Sequence, residues 1–258
     1  ESLCALYALG AAVKWDGVFG EKGRVAPLPS YPWQRQRYWI ARTAGTDGLS
    51  GKPGKWPLSG TGAELPGGIG HRVVRIGVGL QPYLGAHVIH GRVVVAGAVH
   101  VAAMLAAATE RWPASAIVLE EVEFREALVL EGEEPVDLHV TLTPDGSGAR
   151  VEVSTRRGVD GPWVKHVQAR VSTSPEGGAP WHAPQEPRLR KEPQAALQAM
   201  ARQHIEWGPG WSWLEELEEG PGGTVGRLNP PGAESYGEAP LHPVLLDNCF
   251  AVSVLPSL

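Results

Sequence analysis

Cysteine is scarce in this chain: of 258 residues only Cys4 and Cys249 carry a thiol. They lie far apart in sequence, which excludes a small disulfide-stapled fold and fits a reducing compartment. A surplus of positive charge is also lacking, because 23 Lys and Arg face 28 Asp and Glu for a formal net charge of -5. Such a balance gives no general attraction to nucleic acid or an anionic membrane, so neither is expected as a partner. Long apolar runs are missing too: none approaches the ~18–20 residues that a membrane-spanning helix needs. The apolar opening from Ser2 to Val13 has no basic residue and no methionine ahead of it. It therefore reads as a cut inside a longer polypeptide rather than a secretory signal, and a cytoplasmic location is expected.

What is present is ordinary for a folded protein, 43% hydrophobic and 20% charged residues over a length that fits one large domain or two small ones. Residues 1–40 read as a short helix, a turn at Gly20 to Gly23, and an aromatic and basic strip from Leu28 to Trp39. Tyr31, Trp33, Tyr38 and Trp39 suit packing on a neighbouring domain; the acidic balance disfavours the alternative, nucleic-acid binding. Residues 41–70, rich in Gly, Ser, Thr and Pro, read as a flexible connection merging into a first strand.

From Val73 the pattern turns extended. Val136, Leu138, Val140 and Leu142 alternate with polar residues, Val151 and Val153 begin another strand, and Val167, Ala169 and Val171 a third. Turns at Pro144 to Gly148 and Asp160 to Pro162 join them into an antiparallel meander. Between Gly97 and Trp112, Ala98, Val101, Ala102, Met104, Leu105, Ala106 and Ala108 predict a helix apolar on nearly all sides, ended by Pro113. Such a helix must be wrapped, and a buried helix clasped by an antiparallel sheet is the hot-dog arrangement. After a proline-rich linker from Ser172 to Glu192, Pro193 opens a predicted helix through Leu197, Met200, Ala201 and Ile205, stopped at Gly208-Pro209. The stretch from Val225 to Asp247 would begin a second hot dog.

Two segments carry chemistry. His87 precedes a glycine turn at Gly91 that opens into the Ala-rich helix, and among apolar neighbours its ring stays a neutral base. Asp247 is one carboxyl inside the apolar run Leu241 to Phe250, and buried carboxyls are rare unless paired or functional. His87 and His90 have a spacing that could ligate zinc, but no third ligand completes a pattern and no metal is expected. His100 reads as a core or edge histidine, and Gly208 with Gly210 does not follow a strand as a dinucleotide loop requires.

Together these segments resemble the dehydratase domain of modular type I polyketide synthases. The motif His-x-x-x-Gly-x-x-x-x-Pro is met by His87 and Gly91, with Ala96 where proline is usual; Asp-x-x-x-Gln/His is met by Asp247, with Ala251 in place of the polar residue. Tyr-Gly-Pro-x-Phe appears as Trp207-Gly208-Pro209-Gly210-Trp211, and Trp56 precedes Pro57-Leu58 where the opening motif has histidine. The strip from Leu28 to Trp39 is similar to the linker that follows an acyltransferase domain. The resemblance implies an α+β double hot-dog: residues 1–55 linker and connection, 56–171 the first half, 172–192 a proline-rich linker and 193–258 a second half that is incomplete.

It further implies dehydration of a β-hydroxyacyl thioester to an α,β-enoyl thioester, with His87 as base and Asp247 as acid. Backbone amides near Gly97 and Ala98 would face the thioester oxygen, and Gly91, Ala96, Gly97, Trp207, Gly208, Pro209, Trp211 and Ala251 would line the substrate. Trp207 and Trp211 suit packing as well as substrate contact. No metal or nucleotide cofactor is implied; the substrate would ride on the phosphopantetheine of an acyl carrier protein, in a homodimer among neighbouring synthase domains. Ala96 should loosen the turn into the helix, and Ala251 should leave Asp247 freer or water-bound. Three readings follow: a dehydratase; a relative that moves a double bond or closes an oxygen ring; and a non-catalytic architectural domain. Retention of both His87 and Asp247 argues for the first.

Overall fold

The structure, a computed structural model, describes residues 2–19, 51–158, 160–174, 188–221, 223–230 and 241–254. The aromatic strip from Leu28 to Trp39, the Gly20 to Gly23 turn and most of the proline-rich linker lie outside the described residues. The chain divides into two compact units, residues 1–43 and 44–258. In the first, α1 (Ser2–Ala8) is the expected short helix, exposed along its length, and Trp15 packs edge-on against Tyr7 with ring centroids 5.3 Å apart.

The second unit begins with β1 (Lys52–Pro53), β2 (Thr61–Leu65) and β3 (Ile69–Ile76). Residues 61–70, the end of the segment expected to merge from a flexible connection into a first strand, form a strand pair with residues up to Ile76, closed by Gly67 and Gly68 at φ 81° and 72° where a side chain would be strained. There follow β4 (His87–Ile89), β5 (Arg92–Val93), α2 (Gly97–Arg111), β6 (Ala116–Phe124), β7 (Val136–Asp145), β8 (Gly148–Arg156) and β9 (Trp163–Ser174). A seven-stranded antiparallel sheet in the order β1-β2-β3-β7-β8-β9-β6 wraps α2.

Strand alternation decides which side chains meet that helix. Val74 and Ile76 of β3, Leu138, Val140 and Leu142 of β7, Val151 and Val153 of β8, and Val167 and Val171 of β9 all point inward and are buried. Their outward neighbours are polar, as in the Arg75–Asp137 pair at 2.8 Å across β3 and β7. On α2, Ala98, Ala102, Ala103, Ala106, Ala107 and Ala108 are buried on several faces, so small side chains let the sheet close around the helix. β6 is not signalled by alternation: its Glu-Glu-Val-Glu run carries a bulge between Glu120 and Glu123, with Glu121 at φ 54°.

The second half holds β10 (Leu189–Lys191), α3 (Pro193–Arg202), β11 (Ile205–Trp207), β12 (Leu214–Gly220), β13 (Gly223–Leu228) and α4 (Pro243–Val254). A three-stranded sheet β10-β12-β13 packs on α4 and α3, with Met200, Leu217 and Ala251 at its core. The architecture is α+β, two helix-and-sheet halves. The predicted helix from Pro193 does not reach Ile205: it ends at Arg202, and His204 takes φ 61°, which turns Ile205–Trp207 into a strand. That strand leaves its own half and joins β4 and β5.

Close wrapping makes a volume test of the clasped helix. Ala103 is fully buried, and Ala103→Leu is expected to destabilise the fold by about 1–3 kcal/mol, because overpacking forces neighbours off their rotamers. The measurement is a lower urea midpoint at unchanged m value; an unchanged midpoint would mean that the helix has slack around it.

Candidate active site

His87 is placed by backbone on both sides. It opens β4, and the turn at His90-Gly91, with φ 50° and 71°, returns the chain as β5 and on to Val94. The Val94 carbonyl accepts from His87 Nδ1 at 2.7 Å, and a carbonyl can only accept, so Nδ1 carries the proton and Nε2 is the basic nitrogen of the neutral ring. On the other side β11 pairs with β4 so that Trp207 lies opposite His87, and the Gly208 amide donates to the Ala86 carbonyl at 2.8 Å. A Cβ on Gly208 would come within 3.1 Å of Ala86 Cβ, so the small residue permits this approach.

The same crossing positions the Asp247 carboxyl. After Gly208 the chain turns tightly, with the Trp211 amide bonded to the Gly208 carbonyl at 2.9 Å, and buries Trp211 completely. Its indole Nε1 donates to Asp247 Oδ2 at 2.8 Å, and its ring centroid lies 5.1 Å from that of His87. Asp247 projects from α4 with Oδ2 4.0 Å from His87 Nε2, too long for a hydrogen bond between them. Burial pushes the Asp247 carboxyl above the usual aspartate range; the Trp211 N–H and His87 oppose that shift without cancelling it. A hydrogen-bond acceptor and a carboxyl inclined to hold its proton thus face one another.

Asn248 holds this geometry and was not signalled by the sequence, where it is one more polar residue beside Asp247. It is buried, accepts from the Trp213 amide at 3.1 Å, and donates to the carbonyls of Trp211 and Val244, each at 2.8 Å. The segment bearing the indole donor is thereby clamped to the helix bearing the carboxyl. His242 caps the start of α4 by accepting from the Val244 amide at 3.2 Å; burial pushes its pKa down to about 4, which keeps that ring nitrogen unprotonated and able to accept.

A cavity of about 340 Å³ lies beside His87, walled by Ile89, Val94, Val95, Ala96, Gly97 and Phe124, with His100 and His166 among its remaining lining. Gly97 starts α2, where the first amides have no intrahelical acceptor and the helix dipole favours negative charge. A Cβ there would meet the Phe124 ring at 2.8 Å, so a larger residue would have to displace that exposed ring.

The structure gathers His87, Asp247, Trp207, Gly208 and Trp211 where β11 pairs with β4, but of the expected site residues His87, Ala96 and Gly97 alone line the cavity; Asp247, Trp207, Gly208 and Trp211 do not, and the three others lie at neither place. Gly91 is at the exposed tip of the β4–β5 turn, Pro209 is exposed in the turn before Trp211, and Ala251 is packed in the core of the second half. Two expected consequences of the sequence departures are corrected. Asp247 is not left freer by Ala251, because the Trp211 indole orients it from another direction. Ala96 does not loosen the helix entry, because it sits at φ -60°, the value that a proline ring would impose. A strand does precede Gly208, contrary to expectation, but no helix follows the turn, so a dinucleotide loop is still not formed.

A helix wrapped by an antiparallel sheet, a second such half, and an imidazole facing a carboxyl between them define the double hot-dog class. Comparison with known proteins makes this particular. The polyketide synthase dehydratase domain family matches residues 57–156, and the polyketide synthase dehydratase N-terminal domain family matches residues 176–255. Erythronolide synthase EryA2 of Saccharopolyspora erythraea is 30% identical over 87% of the chain, and the mycocerosic acid synthase-like polyketide synthase of Mycobacterium tuberculosis 31% identical over 95%. The chain spans only 6% and 12% of the length of those two relatives.

Among solved structures, the dehydratase domain of the polyketide synthase PpsC from Mycobacterium tuberculosis superposes with a TM-score of 0.65 at 26% identity, covering 78% of this chain and 74% of that one. A dehydratase structure concerned with substrate selection for the borrelidin and fluvirucin synthases gives 0.71 at 25% identity, covering 81% and 75%. The chain belongs to the polyketide synthase dehydratase family.

Two outcomes follow from the geometry. Trp211→Phe removes the donor that stabilises the carboxylate, so burial acts unopposed by it and the Asp247 titration, followed by carbon NMR of its carboxyl, moves to higher pH; an unmoved titration would show that the indole does not hold Asp247. Ala96→Pro should raise stability by about 0.4–1 kcal/mol by restricting the unfolded chain, read as a higher melting temperature. A lower melting temperature would mean that the ring finds no room at this buried position.

Proposed function

We propose that the chain removes water from a β-hydroxyacyl thioester to give the α,β-enoyl thioester, the hydro-lyase activity of a polyketide synthase dehydratase. The observation that carries this reading is the 4.0 Å approach of His87 Nε2 and Asp247 Oδ2, with the histidine's other nitrogen committed to Val94. His87 Nε2 takes the proton from the carbon next to the thioester carbonyl, and the C–H electrons form the new double bond. The bond to the β-oxygen breaks, and the hydroxyl takes the Asp247 proton and leaves as water. His87 then holds one proton more and Asp247 one fewer, and passing that proton back restores the site.

Charge that builds on the thioester oxygen meets the free amides at the start of α2, and each positioned proton donor or acceptor is typically worth ~10²–10⁴ in rate. Double-bond migration, ring closure or a purely architectural role would leave the buried, indole-held carboxyl without a task. The substrate arrives on the phosphopantetheine of an acyl carrier protein, and neighbouring synthase domains supply and receive it. The long relatives, of which this chain matches one segment, support that setting. A homodimer completes the assembly: β6 ends the seven-stranded sheet with Val118 and Phe124 exposed, an edge that pairing would cover. The free thiols of Cys4 and Cys249 suit a reducing cytoplasm, and no helix among the described residues is long and apolar enough to cross a membrane.

The test offers a 3-hydroxyacyl and a 2-enoyl pantetheine thioester separately and follows mass and double-bond position. Loss of water from the hydroxy substrate is expected, falling by about 10²–10⁴ in His87→Ala. Asp247→Asn should impair dehydration more than any migration of the alkene. Dehydration left intact in Asp247→Asn would remove the acid assignment, and a shifted alkene from the enoyl substrate alone would replace the dehydratase reading.

A further inference from the structure

The cavity beside His87 contains a histidine that the dehydration chemistry does not use. His100 lies three residues beyond Gly97 on α2, so the two share a helix face, and both line the cavity. His100 is 3% exposed, and its Nδ1 is enclosed with no hydrogen-bond partner among the described residues. Its neighbour shows what a satisfied histidine in this core looks like. His166, stacked parallel to it with centroids 5.7 Å apart, gives Nδ1 to the Glu126 carbonyl at 2.8 Å and pairs Nε2 with the Thr155 hydroxyl at 2.9 Å. Buried ring nitrogens are ordinarily paired, and an unpaired one on a side chain that lines the cavity beside His87 points to a partner that arrives from outside.

We propose that His100 hydrogen-bonds a hydroxyl or keto oxygen on the acyl chain beyond the β carbon, so that the site selects substrates oxygenated at the δ position. This rests on the dehydratase reading. Under it, the polar atoms of a simple β-hydroxyacyl thioester are already matched: the carbonyl oxygen by the amides at Gly97 and Ala98, the β-hydroxyl by Asp247. Of the other polar residues that line the cavity, Arg125 is paired with Glu123 and His166 with Glu126 and Thr155, so the unpaired His100 nitrogen is the group left to take a further oxygen. His100 stands about 4.5 Å along the helix from Gly97 by the rise of three residues, the reach of a few carbon–carbon bonds past the thioester. Chains assembled from two-carbon units place their next oxygen two carbons beyond the β position. Burial and the adjacent His166 push the His100 pKa down to about 3, so the ring is neutral at working pH and serves as a hydrogen-bonding group, not a charge.

The experiment compares 3-hydroxyhexanoyl with 3,5-dihydroxyhexanoyl pantetheine thioester on the full chain by rate of water loss. The unaltered protein should prefer the dihydroxy substrate by about 10- to 100-fold in kcat/KM, the range for a site whose polar group is left unpaired by the lesser substrate. His100→Leu should lose that preference by slowing only the dihydroxy substrate, and His100→Asn should restore part of it. Calorimetric binding of the two corresponding pantetheine amides reads the same discrimination without turnover. If neither thioester loses water while the dihydroxy amide still binds more tightly through His100, the dehydratase reading fails and the subsite survives. Equal rates and equal binding in the unaltered protein, or an equal loss for both substrates in folded His100→Leu, would overturn the subsite and leave His100 as a residue that holds an enclosed water.

Discussion

The pairing of Ile205–Trp207 with His87–Ile89 is the constraint from which the site follows. Backbone ladders fix position to a fraction of an ångström because each bond is directional, and this ladder joins the half that owns His87 to the half that owns Asp247. With Trp207 opposite His87, Gly208 is drawn against Ala86, the chain must turn at once, and the indole of Trp211 arrives beside the imidazole. A slip of one residue would turn the alternate side chains to the opposite face and carry Trp211 away from Asp247. Asn248 then ties that turn to α4, so two independent hydrogen-bonded devices locate one carboxyl.

Those devices leave the imidazole and the carboxyl under different controls. For the histidine the decisive contact is a single carbonyl, which selects the tautomer and directs the lone pair of Nε2 toward Asp247. For the aspartate it is burial, which favours the neutral acid, tempered by an indole N–H that favours the anion. The folded state therefore holds a proton that the unfolded chain releases. Stability from this group is complete below the unfolded aspartate pKa, and it declines as pH climbs toward the raised folded value. A dehydratase needs a carboxyl able to give its proton away, so the pH range in which Asp247 is useful overlaps the range in which it weakens the fold.

Much of the first half was legible in the sequence because period and environment agree there. The inward Val and Leu of β7, β8 and β9 alternate without interruption, and α2 is apolar all round because it is enclosed all round. His87 and Asp247 were legible for a related reason: each is a polar group in an apolar run. What was hidden is what depends on tertiary position. β6 carries a bulge that breaks its alternation, and Ile205 continues a helical spacing that ends when His204 adopts a left-handed backbone. Trp211 suited packing and substrate contact alike, because nothing local indicates that an indole N–H will find a carboxyl 36 residues away. Ala96 looked like a loosened turn although the surrounding fold holds it at the backbone angle of a proline.

The stabilising and destabilising features are not spread evenly through the second unit. Some buried polar groups are fully paired, as in Asn248 with its three bonds and, at the cavity wall itself, His166 with both nitrogens paired. Around His87 the unfavourable features collect: a carboxyl moved from water, His100 Nδ1 without a partner, and the Trp207 indole Nε1 also buried without one. Each unpaired buried group costs about 1–3 kcal/mol, a large part of the ~5–15 kcal/mol by which a domain is ordinarily stable. The wrapped alanine helix and its valine-rich sheet offset that cost, since a tightly closed core supplies stability that the site itself cannot.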